Sequence, residues 1–283
     1  MLTERRLELN DCTLRLFSGP PNGPPLLFLH GVTRCAHDLA PLFPAVLPRW
    51  QVHALDFRGH GKSDRMGGRY RVADYVEDAL AVLRTFSEPA VLFGHSLGAL
   101  VAAGVAAAAG DRVRAVILED PPSASLLNNL RATPFFALFS GMRLLAGDPA
   151  PVAEVARHLA AIPMPGPGGT TLRLGELRDP AAVRLGARCL KDVDPDVLVP
   201  LIESRWLDGY DVEATMRGVK CPCLILRGEE SLGGMLNRAE ADQWAAWMAD
   251  GMVIDVPGVG HLIHWIATPQ ATRYVLNFLE SLR

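Results

Sequence analysis

The sequence has few charged residues, no basic block and no long apolar segment, and each absence narrows what the protein can do. Charged residues make up 21% of the 283 residues and the formal net charge is −3, so we expect no nucleic-acid partner. The longest apolar run, residues 97–109, is mostly alanine and too short to span a bilayer. No apolar segment follows the charged N-terminus, so we expect no signal peptide and no membrane span.

The sequence contains few cysteines, and their spacing matches no redox or zinc-binding motif. There are five: Cys12, Cys35, Cys189, Cys221 and Cys223. They form neither a CxxC pair nor a zinc-site spacing, so we expect reduced thiols and a cytoplasmic protein. The glycine motifs at 59–61 and 258–261 lack the strand and helix that surround a dinucleotide site. We therefore expect no cofactor and no metal.

Short apolar runs alternate with helical patterns along most of the chain. The runs are residues 5–11, 12–19, 24–31, 50–59, 88–95, 112–120, 221–228 and 251–258, and the helical patterns are 38–47, 72–86, 97–109, 237–249 and 269–282. The first two runs alternate in polarity, which is typical of an antiparallel pair. The others are continuously apolar, as strands buried on both faces are. This order predicts an α/β fold with a mainly parallel sheet of eight strands and helices on both faces.

The alternation of strands and helices stops once, between residues 121 and 215. This stretch starts with two prolines, contains no convincing strand, and has helical patterns at 124–145, 151–161 and 180–190. We therefore predict a core domain made of residues 1–120 and 216–283, with a helical insertion at 121–215.

A serine stands between two glycines at the end of one apolar run, in "GHSLG" at residues 94–98. A predicted strand precedes it and a predicted helix follows it, which is the setting of a nucleophile elbow. Such a turn lifts the Ser96 hydroxyl off the sheet, and the glycines let the helix pack closely on the strand. The helix that starts at Leu97 directs its first N–H groups toward a developing oxyanion.

Further motifs lie at the ends of other predicted strands. His30-Gly31 ends the third apolar run, so the backbone N–H groups of Val32 and Leu97 are the predicted oxyanion donors. The sequence "DFRGHGKSD" at 56–64 follows the next strand, and His261 lies in a glycine-containing loop after the last one.

With these motifs in this order, the chain resembles the α/β-hydrolase superfamily from about residue 5 to its C-terminus. The residues that carry the resemblance are the HG pair, DxRGHGxS, GHSLG and the late GxGH. The resemblance implies that Ser96 is the nucleophile and that His261 is the general base and acid. It also implies that the insertion after the sixth strand is the cap domain of that superfamily.

The acid of the triad is harder to assign. Members of the superfamily usually carry an aspartate three residues after the glycine that ends the seventh strand, but Ser231 stands at that distance from Gly228. Glu230 or Glu229 beside it is one alternative. Some members, including certain haloalkane dehalogenases, place the acid after the sixth strand, where this chain has Asp120. We favour Asp120, because a carboxylate must reach the ring of His261 to fix its tautomer.

His264 is the nearest competitor for the role of base. It follows His261 by three residues, a spacing that would also suit a pair of metal ligands. The carboxylates around this pair have no ligand spacing, so we expect no metal site there.

A serine at the elbow favours acyl transfer to water over the aspartate-based chemistry of epoxide hydrolases and haloalkane dehalogenases. We expect hydrolysis of a carboxylic ester or lactone of a small, partly apolar molecule through an acyl-enzyme. Phe135, Phe136 and Trp206 of the insertion are predicted to bind the substrate, although the same apolar pattern suits a helix packed on the core. A slow-turnover ligand receptor, and a lyase or C–C hydrolase that reuses the triad, remain alternatives.

Overall fold

One sheet of eight strands forms the centre of the molecule. The computed structural model describes residues 2–9, 11–165 and 170–282. The strands of this part of the chain are β1 (Thr3–Glu8), β2 (Thr13–Ser18), β3 (Pro25–Leu29), β4 (Gln51–Asp56), β5 (Ala90–His95), β6 (Val113–Glu119), β7 (Pro163–Pro165), β8 (Thr171–Arg173), β9 (Pro222–Arg227) and β10 (Asp250–Asp255). The order in the large sheet is β1-β2-β4-β3-β5-β6-β9-β10. The pairs β1–β2 and β2–β4 are antiparallel and the other pairs are parallel, which confirms the predicted architecture.

Helices lie on both faces of the sheet, as predicted. They are α1 (Phe43–Val46), α2 (Val72–Leu83), α3 (Leu97–Ala109), α4 (Ala124–Asn128), α5 (Pro134–Leu145), α6 (Val152–Ala160), α7 (Leu174–Leu177), α8 (Pro180–Leu190), α9 (Val199–Ile202), α10 (Val212–Gly218), α11 (Arg238–Trp247), α12 (Ile263–Ile266) and α13 (Thr268–Ser281). Helices α2 and α3 contribute to the apolar core on one face, and α1 and α13 contribute to the core on the other. Every residue of β3 and β5 is buried between these layers, which explains their uninterrupted apolar sequences.

The described chain between β6 and β9 is mainly helical. It contains α4 to α10, and α5, α6 and α8 supply buried apolar residues to the larger core. The prediction of no strand in this stretch was wrong, because β7 and β8 form a small antiparallel hairpin. Each of these strands has three residues, too few for a periodic pattern to be visible in the sequence. The division into a core and a cap at residues 121 and 215 stays a prediction.

The helix predicted at 38–47 also differs from the structure. A 3₁₀ helix covers Ala36–Leu42 and only the short α1 follows it. Pro41 lies inside the 3₁₀ helix and Pro44 lies in the first turn of α1. A proline removes a backbone donor and clashes with the preceding turn, so a continuous α-helix is not favoured here.

The five cysteines are free, and two of them are in contact. Cys35 Sγ and Cys189 Sγ lie 3.5 Å apart, although 154 residues separate them in the chain. This contact joins the loop after β3 to α8. The cytoplasmic location predicted from cysteine use stays a prediction. Among the described residues, no helix has both the length and the apolar character needed to cross a membrane.

Candidate active site

Ser96 lies on a strained turn between β5 and α3. Its φ of 55° and ψ of −116° place it in a backbone region that residues other than glycine rarely adopt. Both neighbouring glycines are required by space: a Cβ on Gly94 would lie 2.1 Å from the Gly98 carbonyl oxygen, and one on Gly98 would lie 2.0 Å from the Leu29 carbonyl oxygen. The Ser96 N–H donates to the Glu119 carbonyl oxygen at 2.9 Å, which ties the turn to the end of β6. This is the geometry expected of a nucleophile elbow.

His261 and Asp120 meet beside this turn. The Nδ1 atom of His261 lies 2.7 Å from Oδ2 of Asp120, and the carboxylate is fully buried. Asp120 also accepts hydrogen bonds from the backbone N–H groups of Gly228 (3.1 Å) and Met235 (2.8 Å). Its φ of 41° is positive, so the backbone is strained at the point where the carboxylate is positioned. The carboxylate is therefore held in place from several sides and holds the orientation of the imidazole.

Neither alternative carboxylate contacts His261 in the described part of the chain. Glu229 Oε1 accepts the N–H of Gly258 at 2.6 Å, which joins the two loops after β9 and β10. Glu230 is exposed and lies 3.7 Å from the guanidinium of Arg227. The structure thus brings Asp120, and not Glu229 or Glu230, to the imidazole.

The two predicted oxyanion donors border the elbow. Val32 follows His30-Gly31 at the end of β3, and Leu97 is the first residue of α3. Among the described residues, neither backbone N–H donates to a protein acceptor. The first N–H groups of a helix have no partner within the helix, so that of Leu97 is available to an incoming oxygen.

Buried histidines brace the loop that carries Val32. His60 Nε2 accepts the N–H of Thr33 at 3.1 Å, and Thr33 itself has a positive φ of 66°. Burial lowers the pKa of His60 to about 3, so the ring is neutral and its Nε2 serves as an acceptor. His30 Nε2 accepts the N–H of Phe57 at 3.1 Å in the same way.

A second carboxylate–histidine pair lies behind the first, and the sequence reasoning did not find its acidic members. Glu119 Oε1 accepts from both the backbone N–H (3.0 Å) and Nδ1 (2.7 Å) of His264. Asp38 Oδ2 lies 3.4 Å from Nε2 on the other side of the ring. These three side chains are fully buried. Burial would lower the pKa of His264, but Glu119 and Asp38 outweigh it and raise the pKa to about 9. The "HLIH" spacing, with two adjacent acids at the end of β6, was the available signal.

Two clusters of described residues bring metal-binding side chains together, and each already holds a protein cation. Asp38, His95 and His264 place one ligand atom each within 4.8 Å of one another, all buried. Since both ring nitrogens of His264 face carboxylates, an imidazolium accounts for the cluster, and a protonated nitrogen cannot bind a metal. In the other cluster, of Asp11, Cys12 and Asp78, the carboxylate of Asp78 is already paired with a cation of the protein. The Arg58 guanidinium donates to both oxygens of Asp78 at 2.6 and 2.5 Å.

A cavity opens above Ser96 and His261. Apolar side chains of the helical segment form a large part of its wall, and Val32 and Phe135 are part of its lining. The other two predicted substrate contacts are not part of the lining. Phe136 stacks under the guanidinium of Arg131, and buried Trp206 lies beside α2, where its carbonyl accepts the N–H of Val72. Phe136 follows Phe135 on α5, and successive residues of a helix point in different directions. Substrate binding by Phe136 and Trp206 stays a prediction.

Comparison with known proteins agrees with this arrangement. The model of a family described as "alpha/beta hydrolase fold" matches residues 24–165, which are 142 of the 283 residues. The chain belongs to the α/β-hydrolase fold family. This confirms the resemblance drawn from the motifs and the predicted fold class.

Relatives of nearly full length fall into two kinds. The chain is 28% identical to the 2-(acetamidomethylene)succinate hydrolase of Mesorhizobium japonicum, over 98% of this chain and 95% of the relative. It is 25% identical to the magnesium-chelatase 30 kDa subunit of Rhodobacter capsulatus, over 93% of this chain and 89% of that protein. The crystal structure of an E-2-(acetamidomethylene)succinate hydrolase matches with a TM-score of 0.77 and 25% identity, covering 99% of this chain and 100% of the other. The family and the hydrolases among these relatives support a hydrolase.

Proposed function

We propose that the protein is a serine hydrolase that transfers a small acyl group to water through an acyl-enzyme on Ser96. The observation that carries this proposal is the hydrogen bond of 2.7 Å between buried Asp120 and His261, beside a serine on a strained turn. In this proposal Ser96 is the nucleophile, His261 the general base and acid, and Asp120 the residue that orients and stabilises the imidazolium.

The chemistry follows from the atoms that face the cavity. The Ser96 hydroxyl attacks the acyl carbon while Nε2 of His261 takes its proton, and the N–H groups of Val32 and Leu97 stabilise the oxyanion. His261 then returns the proton to the leaving group. Water enters and attacks the acyl-enzyme, with His261 again acting as base. Ser96 and His261 both line this cavity, where the hydroxyl and Nε2 are proposed to come into hydrogen-bond contact. Such contacts often tighten only when the substrate is bound.

The bond that is cleaved is an ester or an amide. The sequence favoured a carboxylic ester or lactone, and a serine acyl-enzyme serves esters and amides alike. The name of the Mesorhizobium japonicum relative describes an acetamido group and a succinate, so that enzyme acts on a substrate with an amide bond and carboxylates. We extend the proposal to amides of that general kind. The helical segment between β6 and β9 is proposed as the cap that closes over this small-molecule substrate.

Nitrophenol release from p-nitrophenyl acetate and butyrate tests this proposal, and 4-nitroacetanilide tests amide cleavage. We expect steady turnover by the wild type and a loss of at least about 10³-fold in Ser96→Ala, because the nucleophile is removed. The exposed variant Ser87→Ala is the matched control and should retain full turnover.

Pre-steady-state kinetics separate this function from its alternatives. A stoichiometric burst without later turnover would support the slow-turnover receptor instead of the hydrolase. Turnover that survives in Ser96→Ala would contradict the proposed nucleophile, and the assignment of an acyl-enzyme with it.

A further inference from the structure

The charge of the cavity is unusual for a site that would take a purely apolar substrate. Two guanidinium groups, those of Arg34 and Arg178, belong to its lining, and no carboxylate side chain is part of the described lining. Both arginines also line a groove on the outer side of the cavity, next to Trp265 and Ile266. They therefore lie at the junction between the outer groove and the chamber above Ser96.

Arg178 lacks a protein partner among the described residues. It is half-buried, and no ion pair or hydrogen bond engages its guanidinium. The adjacent acid, Asp179, is used elsewhere: its Oδ1 accepts the N–H of Ala182 at 2.9 Å and caps α8. Burial and the positive charge of Arg34 lower the pKa of Arg178, so the protein makes this cation less favourable rather than more. The nearby charge of Asp179 offsets this only in part, so an incoming anion would stabilise the partly desolvated cation further.

The protein partner of Arg34 is Asp38, and it neutralises the charge of Arg34 only in part. One guanidinium nitrogen lies 3.6 Å from Oδ1 of Asp38, longer than a direct hydrogen bond. That same oxygen accepts the indole N–H of Trp265 at 3.2 Å, and the other carboxylate oxygen faces His264. Asp38 is thus shared among several donors, and it positions Arg34 without saturating the donors of its guanidinium.

We propose that Arg34 and Arg178 form a carboxylate-binding subsite, so that the substrate hydrolysed at Ser96 carries a carboxylate in addition to its scissile acyl group. The inference rests on the proposed function for the role of Ser96, but the subsite itself does not. A guanidinium matches a carboxylate through paired N–H donors, and the two arginines supply more donors than one carboxylate needs. The remaining wall, which includes Phe135, Leu138 and Phe139, suits a short apolar linker between the two groups.

This inference changes the substrate that the sequence predicts. The apolar residues of the helical segment indicated an apolar substrate, and the structure adds two cations that this pattern did not reveal. A small acid with an apolar linker would contact both the apolar side chains and the two arginines of the wall. Its carboxylate would point toward the outer groove and its acyl group toward Ser96.

Two matched substrates test the subsite by kinetics: mono-p-nitrophenyl adipate, which carries a free carboxylate, and its methyl ester, which does not. The wild type should prefer the free acid. In Arg178→Gln, kcat/KM for the free acid should fall about 10- to 100-fold, as the loss of a charge-assisted hydrogen bond predicts. The methyl ester should lose much less, and Arg178→Lys should recover part of the preference. Arg184→Gln removes an equal charge from an exposed position on α8 and is the control, expected to keep the preference.

Binding of adipate to the Ser96→Ala variant, measured by calorimetry, tests the subsite without turnover. The affinity should fall about 10-fold or more when Arg178→Gln is added, and it should be unchanged when Arg184→Gln is added. Adipate binding to Ser96→Ala that depends on Arg178, together with a wild type that hydrolyses neither esters nor amides, would leave the subsite standing and reject the serine hydrolase. Equal rates for the free acid and the methyl ester, or adipate binding that is unaffected by Arg178→Gln, would overturn the subsite while leaving the hydrolase in place.

Discussion

Two adjacent carboxylates at the end of β6 each reach a histidine, one in the loop after β10 and one in α12, and only the first pair meets the cavity. Asp120 contacts His261 and Glu119 contacts His264, in both cases through Nδ1 at 2.7 Å. The contact distances are equal, so the carboxylate–histidine contact by itself does not distinguish a catalytic pair from a structural one.

The two histidines differ in the surroundings of Nε2, the ring nitrogen that does not contact the β6 carboxylate. His261 lines the cavity with Ser96, whereas His264 is fully buried and its Nε2 faces the carboxylate of Asp38. With its pKa raised to about 9 by the two carboxylates, His264 is protonated at neutral pH and cannot accept a proton from a serine. The environment of the second nitrogen therefore decides whether each ring can accept a proton.

The largest effect is expected for Asp120→Asn. An asparagine cannot stabilise the imidazolium of His261 or enforce the same tautomer, so kcat should fall about 10³- to 10⁴-fold. Ester hydrolysis and thermal unfolding should be measured on the same preparation, since Asp120 also holds the loops of Gly228 and Met235.

Glu230→Gln is the control for the assignment of the acid. Glu230 is exposed and makes only a long ion pair of 3.7 Å with Arg227, so its loss should leave kcat within about twofold. Full activity in Asp120→Asn together with a large loss in Glu230→Gln would reverse the assignment.

Disrupting the buried Glu119–His264 pair should lower the stability of the protein and leave its kcat nearly unchanged. Glu119→Gln removes one partner of a buried ion pair and should lower the free energy of unfolding by about 3–5 kcal/mol. Urea unfolding followed by tryptophan fluorescence measures this, and kcat of the folded protein should change little. A folded Glu119→Gln protein whose kcat falls as far as that of Asp120→Asn would mean that both pairs serve the reaction.

The smallest effect is a pH dependence of stability that comes from His264. Its folded pKa, about 9, lies above the ordinary histidine value of 6.5. The stabilisation is therefore complete below about pH 6.5 and is lost as the pH rises through about 9. The groups that face this ring are Glu119, Asp38 and the neutral His95, whose pKa is lowered by burial.

Unfolding free energies of the wild type and of His264→Gln, measured from about pH 6 to about pH 10, test this dependence. The wild type should lose stability across this range, and the variant should show a flatter profile. Parallel profiles in the two proteins would contradict a charged His264.

Much of the site could be predicted because parallel strands deliver their carboxyl ends to one edge of a sheet. Ser96 follows β5, Asp120 follows β6 and His261 follows β10, so their meeting was implied once the runs were recognised as parallel strands. The role of the glycines beside Ser96 could also be predicted, because close packing of α3 on the sheet leaves no room for a side chain there.

Other features depend on contacts between distant segments. Trp206 and Phe136 lie in apolar stretches that the sequence suggests as substrate contacts, yet neither residue is part of the cavity lining. Periodicity identifies a buried face without saying what it is buried against. Cys35 and Cys189 illustrate the same limit, because no spacing rule connects two single cysteines on separate elements.

The order of strands and helices, the turn at Ser96 and the strand ends that carry Asp120 and His261 could all be predicted from the sequence alone. These follow from local chemistry: apolar periodicity, glycine at crowded turns and the direction of parallel strands. Only the tertiary structure decided that Asp120 reaches His261 while Glu119 turns to His264, and that Arg34 and Arg178 face one chamber. Glu119 is the last residue of β6 and the chain turns at Asp120, whose φ is positive, so only the packed neighbours determine which histidine each carboxylate reaches.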